Sequence, residues 1–286
     1  MGNNIKTLFL LSGMTIVLVL IGGAVKGTRG ATLALVLAGV MNFTSYFFSD
    51  KIALMSSGAQ PVTREELPRI YEIVERLCGK TGLPMPKIYV IPTESPNAFA
   101  TGRNPQHSSV AVTHGILGLL TDDEMEGVLA HELGHVKNRD ILISSVAATV
   151  AGAITLLARM TYYAELFGGF GGRDRDREGG GIISALAMMI LAPIAAMLIQ
   201  MAISRSREYE ADATGAHFTG NPHALASALA KIDSYARQVP MMATPSTAHL
   251  YIIKPLLGIS FGNLFSTHPP TAERIARLTG MRPEGW

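Results

Sequence analysis

Residues 121–140 read TDDEMEGVLAHELGHVKNRD. Thr121 and Glu124 make a T-x-x-E capping pattern, and Met125, Val128, Leu129 and Val136 follow at helical spacing. A helix is predicted, and His131-Glu132-Leu133-Gly134-His135 puts two imidazoles four residues apart on one of its faces. Each can present a nitrogen ~2.0–2.1 Å from one zinc ion, with Glu132 beside it to take a proton from water. A solvated helix carrying two histidines would read the same, so other residues decide between the two.

Catalytic zinc needs a third protein ligand and an open position. The best candidate is Glu208, in Ser204-Arg-Ser-Arg-Glu-Tyr-Glu-Ala-Asp212. Asp212 lies one turn further on, placed to accept a hydrogen bond from a ligating histidine. Glu210 points about 200° away from Glu208 on a helix and reads as a solvated carboxylate. His107, His114, His217, His223 and His249 have no partner at ligand spacing and read as surface or packing residues.

The surroundings are half apolar. The 286-residue chain is 48% hydrophobic and only 16% charged. Four stretches carry no Asp, Glu, Lys or Arg: Thr7–Val25, Ala31–Ser49, Ile141–Ala158 and Ile182–Ser204, of 19, 19, 18 and 23 residues. Outside them, charge returns to the roughly 25% of ordinary globular proteins. This excludes a wholly soluble enzyme, a disordered chain and a bare membrane bundle. A bilayer core needs roughly 20 apolar residues per helix. The first two stretches, joined by Lys26–Gly30, read as a helical hairpin; the first alone could also be a signal peptide. Ile182–Ser204 spans despite Pro193, whereas Ala-, Ser- and Thr-rich Ile141–Ala158 also fits a buried helix. A hairpin of the last two would return Glu208 to the membrane face that His135 leaves. Lys6, Lys51, Lys137, Arg139, Arg205 and Arg207 favour a cytoplasmic location for the large polar parts. The loop Gly168–Gly181 (GGFGGRDRDREGGG) then turns on the far side.

The expected organisation is a transmembrane hairpin (1–50), a first catalytic part (51–140), a second hairpin (141–204) and a second catalytic part (205–286). In the first part, Thr63 and Glu66 predict a capped helix through Ile70, Ile73, Val74 and Leu77, stopped by Gly82 and Pro84. Lys87–Ile91, Ala98–Thr101 and Ser109–Thr113 predict strands of a small sheet. Helices are expected again around Leu225–Tyr235 and Thr271–Leu278. The fold class is mainly α with a small β-sheet: membrane helices plus a zincin-like catalytic domain on one membrane face. A net charge of +2 with no basic stripe gives no case for nucleic acid, and the one cysteine, Cys78, leans towards a reducing compartment.

With H-E-x-x-H, E-x-x-A-D and four spans in this order, the chain resembles HtpX-type membrane zinc metalloproteases, relatives of the CaaX prenyl proteases. The resemblance covers essentially the whole length, including Pro96-Asn-Ala-Phe-Ala-Thr-Gly102 and Phe265-Ser-Thr-His-Pro-Pro-Thr-Ala-Glu-Arg-Ile275. It implies one zinc held by His131, His135 and Glu208, with Glu132 as general base. It implies a multi-pass protein of the bacterial inner membrane, with a cytoplasmic site that degrades misfolded membrane proteins. It further implies that His268 and Arg274 stabilise the oxyanion, and that the strand with Asn97 and Ala98 holds unfolded substrate by strand addition.

Three other readings compete. An intramembrane protease would bury the motif in an apolar span, but here Asp122–Glu124 and Lys137–Asp140 flank it. A scaffold with structural zinc would close the fourth position with Cys or His, and Cys78 is the sole thiol. Processing of prenylated substrates would use the same chemistry and differ only in substrate.

Overall fold

The computed structural model describes residues 3–146, 149, 205–239, 250–252 and 269–280. Helix α1 (Asn3–Ser56) is helical throughout by its hydrogen bonding but folds back on itself. Gly27 takes a left-handed φ of +57°, and Asn42 Nδ2 donates to Thr15 Oγ1 at 2.9 Å. In a straight helix those residues would stand ~40 Å apart. The crossing is tight: a Cβ on Gly22 would collide with the Gly30 carbonyl oxygen. Among the described residues one stretch, Gly27–Ser56, is long and apolar enough to cross a membrane; Thr7–Leu20 is a shorter apolar helix. Leu8, Leu20, Leu33 and Val36 are more than half exposed along this hairpin. Most of Ile141–Ala158 and all of Gly168–Gly181 and Ile182–Ser204 lie outside the described residues.

The polar part begins with β1 (Gln60–Pro61) and α2 (Pro68–Thr81). This corrects the expected start at Thr63. Glu66 does accept the Thr63 N–H at 2.6 Å, but within a turn. The residue before a proline is disfavoured in the α region, and proline suits the first helical position, so the helix starts at Pro68. Gly82 closes it in the left-handed conformation.

Strands β2 (Lys87–Ile91), β3 (Ala98–Asn104) and β4 (His107–Thr113) complete a mixed sheet in the order β1-β2-β4-β3. Two strands run longer than expected, because the Asn104–His107 link is a tight turn into a hairpin. β2 runs parallel to β4, while β1 and β3 pair antiparallel with their neighbours. β3 is therefore an edge strand.

The short α3 (His114–Leu119) leads to α4 (Asp122–Lys137), whose capping box between Thr121 and Glu124 is complete. Helices α5 (Arg205–Thr219), α6 (Pro222–Ala236) and α7 (Thr271–Thr279) follow. α4 lies between β3 and the pair α5 and α6. Its buried face joins Ile70, Val74, Ile88, Val110, Leu225 and Leu229 in one core. A second core ties the end of α1, through Ala53 and Leu54, to Phe99 and Tyr251.

Candidate metal centre

α4 holds His131 and Glu132 almost fully buried, at 1% and 2% exposure. α5 crosses it closely enough to bring up Glu208. Small residues make the approach possible: a Cβ on Gly134 would stand 3.1 Å from the Ala211 carbonyl oxygen. His131 Nε2 lies 3.9 Å from Glu208 Oε2, and His135 Nε2 lies 3.6 Å from Glu208 Oε1. One ligand atom from each of the three falls within 4.8 Å of the others. Two atoms ~2.1 Å from one ion at the tetrahedral angle are ~3.4 Å apart, so the group, a little wider than that, could close on a single zinc-sized cation. Two imidazole nitrogens plus a carboxylate oxygen is a donor set that leaves a fourth position for substrate or water.

The outer faces of the histidines are also occupied. Asp212 Oδ1 lies 2.9 Å from His131 Nδ1, and Asp140 Oδ2 lies 3.3 Å from His135 Nδ1. Arg274, 1% exposed, donates Nε and Nη2 to the two oxygens of Asp212 at 2.9 and 2.7 Å. Its Nη1 donates to the Ile252 carbonyl at 2.8 Å and stands 3.8 Å from Glu208 Oε2. Arg207 is buried as well, within electrostatic reach of Asp140 and Glu208.

Electrostatics follow from this crowding. Burial pushes the Glu132 carboxyl up, with Glu208 adding to the shift; His131, His135 and the Ala100 N–H that donates to Glu132 oppose it. Burial works against a charge on His135, but Asp140, Glu208 and Glu132 outweigh it and raise the imidazole to about 9. Burial would also raise Asp212, yet Arg274 and His131 hold it well below the usual carboxylate range. The carboxylates that favour a proton on His135 equally favour a divalent cation between the rings.

The remaining expected residues fall in different places. Ala100, rather than Asn97 or Ala98, lines the small cavity over His131, Glu132 and Glu208, together with Leu250, Tyr251 and Ile252. Asn97 is buried, with its N–H on Thr113 Oγ1 at 2.8 Å and its side-chain oxygen accepting from the Ala98 N–H at 3.1 Å. The Ala98 carbonyl accepts from Ile252 N–H at 3.0 Å, so this chain itself pairs with the outer edge of β3 there. His268 and His249 lie outside the described residues. Glu210, His107, His114, His217 and His223 are exposed.

Sequence reasoning missed Asp140, Arg207 and the Leu250–Ile252 segment as parts of the site. The only signal for Asp140 was its position five residues past His135. In the sequence Arg207 stands out only as a charge near the membrane, and nothing local announces Leu250–Ile252.

The chain is similar to known proteins over most of its length. The profile of peptidase family M48 matches residues 64–282. "Protease HtpX homolog" of Desulfatibacillum aliphaticivorans is 56% identical over 284 residues, covering 99% of this chain and 91% of its own. The protein of the same name from Aquifex aeolicus is 54% identical, covering 91% and 87%. That from Thermococcus sibiricus is 52% identical, covering 97% and 96%. Among solved structures, Ste24p of S. mikatae superposes with a TM-score of 0.52 at 22% identity, over 96% of this chain. The likeness is one of fold, and the match spans 65% of the Ste24p chain.

Proposed function

This chain belongs to peptidase family M48, as an HtpX-type metalloprotease, and from that premise we propose that it is a membrane-bound zinc endopeptidase. Its substrates would be misfolded or damaged membrane proteins, cut at a cytoplasmic site of the bacterial inner membrane as part of a stress response. The convergence of His131, His135 and Glu208 beside Glu132 carries the reading. A zinc ion held by those three residues would supply Lewis acidity to the scissile carbonyl.

Glu132 accepts the proton of the attacking water and passes it to the leaving amine. Its upward shift, caused by burial, suits a base that must also give its proton back. The Ala100 N–H fixes the carboxylate's orientation. His268 and Arg274 are proposed to meet the charge developing on the substrate carbonyl oxygen. For Arg274 the support is its position 3.8 Å from Glu208, with its fork fixed by Asp212. Substrate backbone would run along the outer edge of β3, which contributes Ala100 to the cavity.

The exposed apolar hairpin of α1 supports bilayer residence. We extend this to four spans, with 1–50 and 141–204 in the membrane and 51–140 and 205–286 forming the catalytic domain.

The test is cleavage of an unfolded protein by detergent-purified wild type and Glu132→Gln, matched for zinc content. Cleavage by wild type alone is expected. Equal cleavage would remove Glu132 from the mechanism, and zinc-loaded protein inert in both forms would make the site structural.

A further inference from the structure

Asp140 holds His135 at two points. α4 ends with Asn138 in the right-handed region, followed by Arg139 with a left-handed φ of 58°. The Arg139 N–H then reaches the Val136 carbonyl at 3.2 Å, and the Asp140 N–H reaches the His135 carbonyl at 2.9 Å. This is the doubled bond pattern by which a helix end turns back on itself. The reversal carries the Asp140 side chain beneath the last turn, where Oδ2 stands 3.3 Å from His135 Nδ1. Backbone and side chain of one residue thus grip backbone and side chain of another.

The arrangement repeats that of Asp212 on His131, on the opposite flank of the site. Both carboxylates are 3% exposed. Each has a buried guanidinium at hand, Arg274 bonded to Asp212 and Arg207 within electrostatic reach of Asp140. Asp140 addresses Nδ1, while His135 Nε2 faces Glu208 Oε1 at 3.6 Å. Asp140 is therefore placed behind the ligand rather than among the ligands.

We propose that Asp140 is the positioning residue of His135: it accepts the Nδ1–H, fixes the tautomer and turns Nε2 towards the metal. The inference rests on the reading that His131, His135 and Glu208 hold zinc. A carboxylate behind a ligating imidazole fixes the ring and raises its basicity, and its loss costs roughly 10–100-fold in metal affinity or activity.

The experiment measures zinc affinity of the full-length, detergent-purified protein by chelator competition, with thermal melting as the check on folding. Asp140→Ala is expected to bind zinc about 10–100-fold more weakly. Asp140→Asn keeps the shape and a neutral acceptor and should fall between Ala and wild type. Asp123→Asn, which removes an exposed carboxylate from the first turn of α4, should bind as wild type does. In cleavage assays at saturating zinc, kcat should fall in Asp140→Ala with KM unchanged. If Asp140→Ala does not fold, Asp140→Asn decides. Folded Asp140 variants with wild-type zinc affinity overturn the role of Asp140 and leave the zinc site standing. Wild type that binds no zinc overturns the reading beneath it.

Discussion

Gly215 of α5 rests on the backbone of His131, so close that a Cβ there would stand 2.8 Å from the His131 nitrogen. The contact sets the separation of α4 and α5, because neither backbone has a flexible side-chain end to yield. Gly215→Ala should push α5 away from α4 and cost about 1–3 kcal/mol, the usual cost of overpacking. Chemical denaturation measures that loss. Zinc content should fall with it, since Glu208 and Asp212 move with α5.

Arg274 is the largest fully buried side chain among the described residues, and its fork matches the Asp212 carboxylate atom for atom. Lysine carries the charge but not the planar fork. Arg274→Ala would leave Asp212 buried and uncompensated beside His131, and removal of one partner from a buried pair costs about 3–5 kcal/mol. Arg274→Lys should recover only part of this. Melting of the zinc-free protein reads the effect without any contribution from catalysis.

A pH effect is expected at the start of α4, outside the candidate metal site. Burial would raise the Glu124 carboxyl, but Lys231, Ser227 and the cap at Thr121 hold it down to about 2, from an ordinary 4.5. A depressed folded-state pKa contributes stability that is full above 4.5 and is lost as pH falls towards 2. Lys231 is 41% exposed, so solvent screens the pair. The contribution at pH 7 is expected to be about 1–2 kcal/mol. Glu124→Gln should lose that amount at pH 7 in urea denaturation. The difference from wild type should shrink as pH falls below 4.5.

Arg139 sits in a left-handed conformation that costs a residue with a Cβ roughly 1–2 kcal/mol. Arg139→Gly relieves the strain, but glycine gives up more chain entropy on folding. A net gain of up to about 1 kcal/mol is expected, visible as a raised melting temperature with zinc affinity unchanged. A lowered melting temperature would show that the Arg139 side chain, not the turn, matters there.

Local signals were the legible ones. The Thr121 box, the helix bearing His131 and His135, and the glycine closing α2 are each determined within a few residues, so the sequence displays them directly. At Thr63 the same box pattern misled, because Pro68 overrides it from two residues beyond Glu66. The helix-ending turn at Arg139 gave no warning, since arginine stands where glycine is usual. Other features depend on distant chain: the two-residue strand at Gln60 exists only through its pairing with β2, and Ile252 meets Ala98 from 154 residues away. That Glu208 meets the histidines depends on small residues at a helix crossing: Gly134 within H-E-x-x-H, Ala211 within E-x-x-A-D, and Gly215, which lies beyond both motifs.

The Ile252–Ala98 hydrogen bond has a consequence for which chains can enter. An intramolecular partner is present at a high effective concentration, so an arriving strand must outcompete it to pair at that position. A neighbour whose backbone groups are already satisfied in its own fold gains nothing by the exchange. A chain with unsatisfied N–H and C=O groups gains a bond for each one placed. On the proposed function, that competition alone would make the cleft indifferent to side chains yet selective for loss of structure.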